Sequence, residues 1–127
     1  MTDLPITDLG KMTRGDDRSF AVTVRNPNGS LKDITGLDLW MTAKRNLGES
    51  DAEAVFQITT PTGIIIDAGA GGTATVYIVP ADTADLPDQD TVLEWDVQLK
   101  EALGQIRTVA KGILVVEPDV TESTTIS

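Results

Sequence analysis

Hydrophobic and polar residues alternate through residues 91–116 in two runs bent around a glycine. Leu93, Trp95, Val97 and Leu99 point one way and Glu94, Asp96, Gln98 and Lys100 the other; after Glu101-Ala102-Leu103-Gly104 the alternation resumes at Ile106. This pattern predicts a long β-hairpin. With residues 101–104 as the loop, Lys100 faces Gln105, Glu94 faces Lys111, Trp95 faces Ala110 and Leu93 faces Gly112. Opposite charges then meet, and large side chains meet small ones.

The rest of the chain reads the same way. Phe20, Val22 and Val24 share one face of a strand that ends at Asn26-Pro27-Asn28-Gly29, where the Asn-Gly step favours a tight turn. A second turn, Asp33-Ile34-Thr35-Gly36, precedes the period-two set Leu37, Leu39, Met41 and Ala43. Residues 46–53 are polar and acidic, a loop. Short strands follow at residues 55–59 and at Ile64-Ile65-Ile66, separated by Pro61 and Gly63. Ala74, Val76 and Ile78 alternate after Gly69-Ala70-Gly71-Gly72. Only one helical signal is present, a short turn near Asp82 and Leu86, with Asp82 as its cap, Asp85 three residues on and Pro87 as its stop.

Seven or eight strands at spacings of about ten residues, joined by Gly, Asn and Pro turns, predict an all-β fold, a two-sheet antiparallel sandwich, with a barrel as the alternative. At 127 residues the chain is one domain, able to bury about two-thirds of its extended surface. The sandwich is expected over residues 1–119. Within it, residues 1–13 form a loosely attached arm or edge strand, because Pro5 interrupts their apolar positions; residues 120–127, rich in Thr and Ser, form a flexible tail.

Composition then removes whole classes of chemistry. The chain has no cysteine and no histidine, which excludes disulfides, thiolate metal sites, a cysteine nucleophile, Ser/His pairs and histidine-bound zinc or haem. The formal charge of −10 repels a polyanion, so no nucleic-acid partner is expected. No apolar window is long enough for a membrane span, and the acidic opening MTDLPITDLG is unlike a signal peptide. The expectation is a soluble chain made in the cytoplasm, with no membrane partner.

Each motif that could carry chemistry has a structural explanation beside it. Arg14-Gly15-Asp16 spells an adhesive tripeptide, yet a turn at Gly15 explains it. Gly69-x-Gly71-Gly72 follows an apolar strand as a phosphate loop does, but a strand rather than a helix comes next, so a hairpin turn is the better reading. Asp82, Asp85, Asp88 and Asp90 crowd one loop without the spacing of a calcium site. Glu94 and Asp96 share a strand face with Gln98 and Lys100 and meet Lys111 and Arg107, a salt-bridged outer surface rather than a glycosidase dyad. No enzyme, cofactor or metal site is predicted. Apolar residues on outward positions are the stronger signal: Trp40, Tyr77, Ile113 and Val115 oppose their inward neighbours and are the candidate interface, through which the chain self-associates or docks.

Several segments together resemble a known family. RGDDRSFAVTVRNPNGSLKDITG from residue 14, LWMTAKRN from residue 39, AVFQITT from residue 54, GIII and GTATVYIVPADTADL from residues 63 and 72, and LEWDVQLKEALGQIRTVAKGILVVEPDVT from residue 93 are similar to the immunoglobulin-like domain of bacteriophage tail and baseplate proteins, in particular the N-terminal domain of upper baseplate proteins. The likeness spans residues 14–121 and rests on turns and strands, not on a catalytic signature. It implies an immunoglobulin-like sandwich acting as a non-catalytic structural or adaptor protein of the virion. Its implied partners are its own copies as a homo-oligomer, other tail or baseplate proteins, or fibres. Larger family members carry a long C-terminal extension that this sequence, ending at Ser127, does not show. The alternative is a carbohydrate-binding or adhesion module using the loops at one end of the sandwich.

Overall fold

The computed structural model describes residues 9–45, 54–87 and 89–119. In chain order the elements are β1 (Gly10–Thr13), β2 (Arg18–Thr23), β3 (Asp38–Lys44), β4 (Phe56–Thr59), β5 (Ile64–Ala68), β6 (Thr73–Ile78), α1 (Pro80–Thr83), β7 (Thr91–Lys100) and β8 (Ile106–Glu117). The strands form a five-stranded sheet, β1-β8-β7-β3-β4, and a three-stranded sheet, β2-β6-β5. Every pairing is antiparallel except that of β1 with β8, which is parallel. The inward residues of all eight strands meet in one core, led by the fully buried Leu39, Met41, Ile64, Ile78, Leu93, Leu99 and Leu114. The fold is thus all-β and sandwich-like.

Across the core, Phe20 of β2 stacks on Trp95 of β7, ring centroids 5.3 Å apart and tilted by 53°. This pair joins the two sheets directly. Trp95 fits because its neighbours in register are small, Gly112 on one side and Ala43 on the other. Its indole Nε1 is buried with no hydrogen-bond partner among the described residues.

The hairpin differs from the sequence expectation in register. Its loop has five residues, with Lys100 opposite Ile106, because Glu101 N–H closes on the Gln105 carbonyl (2.7 Å) and Gly104, at φ +89°, on Glu101 (2.8 Å). Val109 then bulges, unpaired between Val97↔Ala110 and Gln98↔Thr108, and shifts the pairing once more. Trp95 therefore faces Gly112 rather than Ala110, Leu93 faces Leu114 rather than Gly112, and Lys111 faces Asp96 rather than Glu94. Two one-residue shifts restore the facing beyond the bulge. Between loop and bulge it is reversed, so that Ile106 turns outward to solvent.

Two further expectations are corrected. The helical turn lies at Pro80–Thr83 rather than near Asp82 and Leu86. Pro80 suits the first helical position, where no N–H is needed, and Asp82 does not start the helix but reaches back to accept a hydrogen bond from Val79 N–H (2.8 Å). Leu86 instead belongs to the core. Of the arm or edge strand expected for residues 1–13, the described part takes the edge-strand form, β1 pairing along β8 at the edge of the larger sheet, but its attachment is close rather than loose, since Leu9 and Met12 are buried. Residues 1–8, 46–53 and 120–127, including the acidic loop and the C-terminal tail of the sequence reading, lie outside the described residues.

Candidate interaction surfaces

The candidate interface residues Trp40, Tyr77, Ile113 and Val115 all sit at outward positions, but on two different faces. Trp40 on β3 and Ile113 and Val115 on β8 belong to the outer face of the five-stranded sheet, whereas Tyr77 on β6 belongs to the other sheet, on the far side of the core. Even the first three are split. Trp40 is level with Gln98 and Ile113 with Glu94, two strands and four residues apart, roughly 16 Å at ordinary sheet spacings. Trp40 donates its indole N–H to Gln98 Oε1 (2.9 Å) and is half-buried. Beside it, Thr42 is only 8% exposed although it points outward, and it accepts a hydrogen bond from Gln57 Nε2 (3.0 Å). Ile113, Val115 and the facing Val92 form a smaller apolar patch at the other end of this face.

The two ends of the sandwich carry features that alternation did not reveal. At one end the β7–β8 loop meets the residues joining β2 to β3. Lys32 Nζ pairs with Glu101 Oε1 at 3.3 Å, and Arg107 donates to the Arg25 carbonyl at 2.9 Å. Leu103, at the tip of the loop, is 90% exposed, with Ile106 and Leu31 also in solvent. We call this the loop pole. Leu103 is an apolar residue inside a segment read as a turn, and that was the available signal. Ile106, where the alternation resumes in the sequence, faces outward opposite Lys100 because of the five-residue loop and the Val109 bulge.

At the opposite end the turn between β1 and β2 packs on α1 and the segment after it. Arg14 donates through Nε to Asp119 Oδ1 (2.8 Å) and through Nη1 to the Leu86 carbonyl (2.6 Å), while Gly15 N–H donates to the buried Thr83 Oγ1 (2.9 Å). The Arg14-Gly15-Asp16 triplet is accordingly a structural clamp whose guanidinium is engaged internally. Arg14 holds the Asp119 carboxyl below the usual aspartate range, chiefly through that hydrogen bond. Because the folded value lies under the unfolded value of about 3.9, the contribution is present at neutral pH and lost as pH falls through the folded value. Asp119→Asn is therefore expected to flatten the decline of melting temperature below about pH 4, measured by calorimetry from pH 7 to 2.5. An unchanged decline would show that the clamp does not couple to folding.

The remaining motifs resolve as structure. The glycine-rich residues 69–72 turn β5 into β6 and pack on the β2–β3 connection, where Ile34 N–H donates to the Gly69 carbonyl (2.8 Å). A Cβ on Gly69 would lie 2.2 Å from Thr35 Oγ1 and 3.0 Å from its Cα and Cβ, so the close approach of Thr35 explains that glycine. Among the described residues no three acidic side chains converge as a metal site; Asp82 is occupied by Val79 N–H, and Asp88 lies outside them. Asp96 faces Lys111 in register, while Glu94 faces Ile113 and Lys44. Arg107 does not join that outer surface, but bridges to Arg25.

No helix among the described residues is long and apolar enough to cross a membrane. No known family model matches the chain, and no curated protein matches it.

Proposed function

We propose that this chain is a non-catalytic structural or adaptor subunit of a phage or prophage tail or baseplate, built on an immunoglobulin-like sandwich and acting by self-assembly or by docking to other tail components. The observation that carries the fold part of this reading is the strand order. With β2 to β8 read as strands B, C, C′, D, E, F and G, the sheets become BED and GFCC′, the variable-type arrangement without C″, and β1 extends the second sheet beside G. Strands B and F, which a disulfide joins in antibody domains, are joined here by Phe20 and Trp95. The tail assignment rests on the resemblance carried by the turn and strand segments between residues 14 and 121.

Against a sugar-binding module stands the position of the tryptophans: Trp95 is in the core and Trp40 is half-buried on a strand, leaving no Trp in the loops to stack on a sugar ring. Co-expression with the structural genes encoded beside it tests the reading. Co-elution with one of those products on size exclusion is expected, together with a blank glycan array; elution apart from all of them, with saturable glycan binding, would overturn it.

A further inference from the structure

The turn that leaves β2, at the loop pole, carries at Asn28-Gly29 the one step in the chain where an asparagine is followed by glycine. In such a step the backbone nitrogen after the asparagine can attack the side-chain carbonyl carbon, and glycine hinders that approach least because it has no Cβ. The other two asparagines lack this arrangement. Asn26 precedes Pro27, which has no N–H to lose, and Asn46 precedes Leu47, whose side chain crowds the approach. Asn28 and Gly29 are both exposed, Gly29 has φ +89°, and a Cβ built on it would meet nothing within 4 Å, so nitrogen and carboxamide alike are open to water and base.

The hydrogen bonds of the turn activate this amide. Ser30 donates twice to Asn28 Oδ1, through its backbone N–H at 3.0 Å and through its hydroxyl at 2.6 Å. Asn26 Nδ2 in turn donates to Ser30 Oγ at 3.1 Å, which leaves the hydroxyl hydrogen directed at Asn28. When a nitrogen adds to Cγ, negative charge develops on Oδ1, and the two donors already aimed there strengthen with it, since hydrogen bonds to a charged acceptor are about twice as strong as neutral ones. One contact works the other way. Gly29 N–H donates to the Asn26 carbonyl at 2.8 Å, and this bond must open before the nitrogen can lose its proton. It is a single neutral hydrogen bond in solvent, worth a factor of about two to ten in rate.

We propose that Asn28 is a site of self-catalysed deamidation, in which Ser30 of the same turn stabilises the oxyanion. The Gly29 nitrogen, its proton lost to water or hydroxide, forms a bond to Asn28 Cγ; the Cγ–Nδ2 bond breaks, and Nδ2 takes a proton from water and leaves as ammonia. A cyclic succinimide then joins the two residues. Water opens the ring at one carbonyl or the other, giving aspartate, or isoaspartate with the main chain rerouted through the former side chain. Water is the only co-reactant. Either product puts a carboxylate where the amide stood, close to Arg25, whose Nη1 donates to the Gly29 carbonyl at 3.0 Å. Isoaspartate also lengthens the main chain inside the turn that the Arg25–Leu31 bridge closes. The reaction depends on nothing in the tail assignment.

The test holds the whole chain at mildly alkaline pH for days to weeks, folded and, in parallel, unfolded in guanidinium chloride. Peptide mass spectrometry reads the change of amide to acid at each asparagine, and labelling by an isoaspartate-specific methyltransferase reads the rerouted product. Folded wild type is expected to convert at Asn28 ahead of any other asparagine, and faster as pH rises. Ser30→Ala, which loses the hydroxyl and keeps the N–H, is expected to convert about two- to tenfold more slowly when folded, and at the wild-type rate when unfolded, where the turn is lost. Ser30→Thr keeps a hydroxyl and is expected to restore the folded rate. Both variants are checked for an unchanged circular dichroism spectrum. An Asn28 that stays intact in the folded chain while the unfolded chain converts overturns the proposal. So does a folded Ser30→Ala as fast as wild type, a slowing that persists in guanidinium, or a Ser30→Thr as slow as the alanine variant.

Discussion

Replacing Trp95 by alanine is expected to lower the unfolding free energy by about 3–5 kcal/mol, while Trp95→Phe changes it by under about 1.5 kcal/mol. The large loss follows from position. Trp95 is 3% exposed, lies between Gly112 and Ala43, whose small side chains cannot fill the space it leaves, and carries the only aromatic stacking recorded between the two sheets among the described residues. With total stability of a domain on the order of 5–15 kcal/mol, the alanine variant loses a large part of its margin. Phenylalanine keeps the ring against Phe20 and removes the indole N–H, which is buried without a partner among the described residues, a state that costs about 1–3 kcal/mol. Urea unfolding of the three proteins gives the values directly. Similar large losses for both variants would mean that the indole nitrogen has a partner or that the site cannot adjust to the smaller ring.

Gly72→Ala is expected to cost about 2–4 kcal/mol, unusual for the addition of a single methyl group. Gly72 has φ +73°, and a Cβ there would lie 2.6 Å from the Val24 carbonyl oxygen and 2.7 Å from that of Lys32. Both obstacles are backbone, and Val24 N–H is also bonded to the Gly72 carbonyl at 2.7 Å. The clash cannot be relieved by turning a side chain. It would push the β5–β6 turn away from the β2–β3 connection and strain the Ile34–Gly69 and Val24–Gly72 bonds together. Gly104→Ala is the control, because its Cβ would meet nothing within 4 Å although its φ is +89°. Its expected cost is the conformational part alone, about 1–2 kcal/mol. Equal melting temperatures for the two variants would show that the close approach at Gly72 is not felt.

The faces of strands were legible where alternation was long. Leu93, Trp95, Val97 and Leu99 point into the core as their spacing indicates, and Tyr77 and Ile113 point out. Alternation reports only which side of its own sheet a residue takes. It does not report which sheet the strand joins, since pairing is set by contacts distant in sequence, and so Tyr77 was grouped with Trp40, Ile113 and Val115 although the core separates them. The same limit hid the parallel pairing of β1 with β8 and the part that Leu9 and Met12 take in the core. Val109 shows another gap, because a bulge leaves no mark on a run of apolar residues and yet turned Ile106 from the core to solvent. Leu103 lies in a segment whose glycine marks a turn, and turn chemistry does not report which side chain the turn displays.

Arg14, Asp82 and Asp119 are engaged in internal contacts, while apolar side chains stand in solvent both at the β7–β8 loop (Leu103, Ile106) and on the sheet faces (Tyr77, Val92, Ile113). The most direct test is peptide mass spectrometry of density-banded particles released from a host that carries this coding sequence. The chain is expected among the tail proteins at a fixed ratio to them, and to remain with the tails when capsids are removed. Its absence from the particles, with abundant free protein in the lysate, would contradict the account.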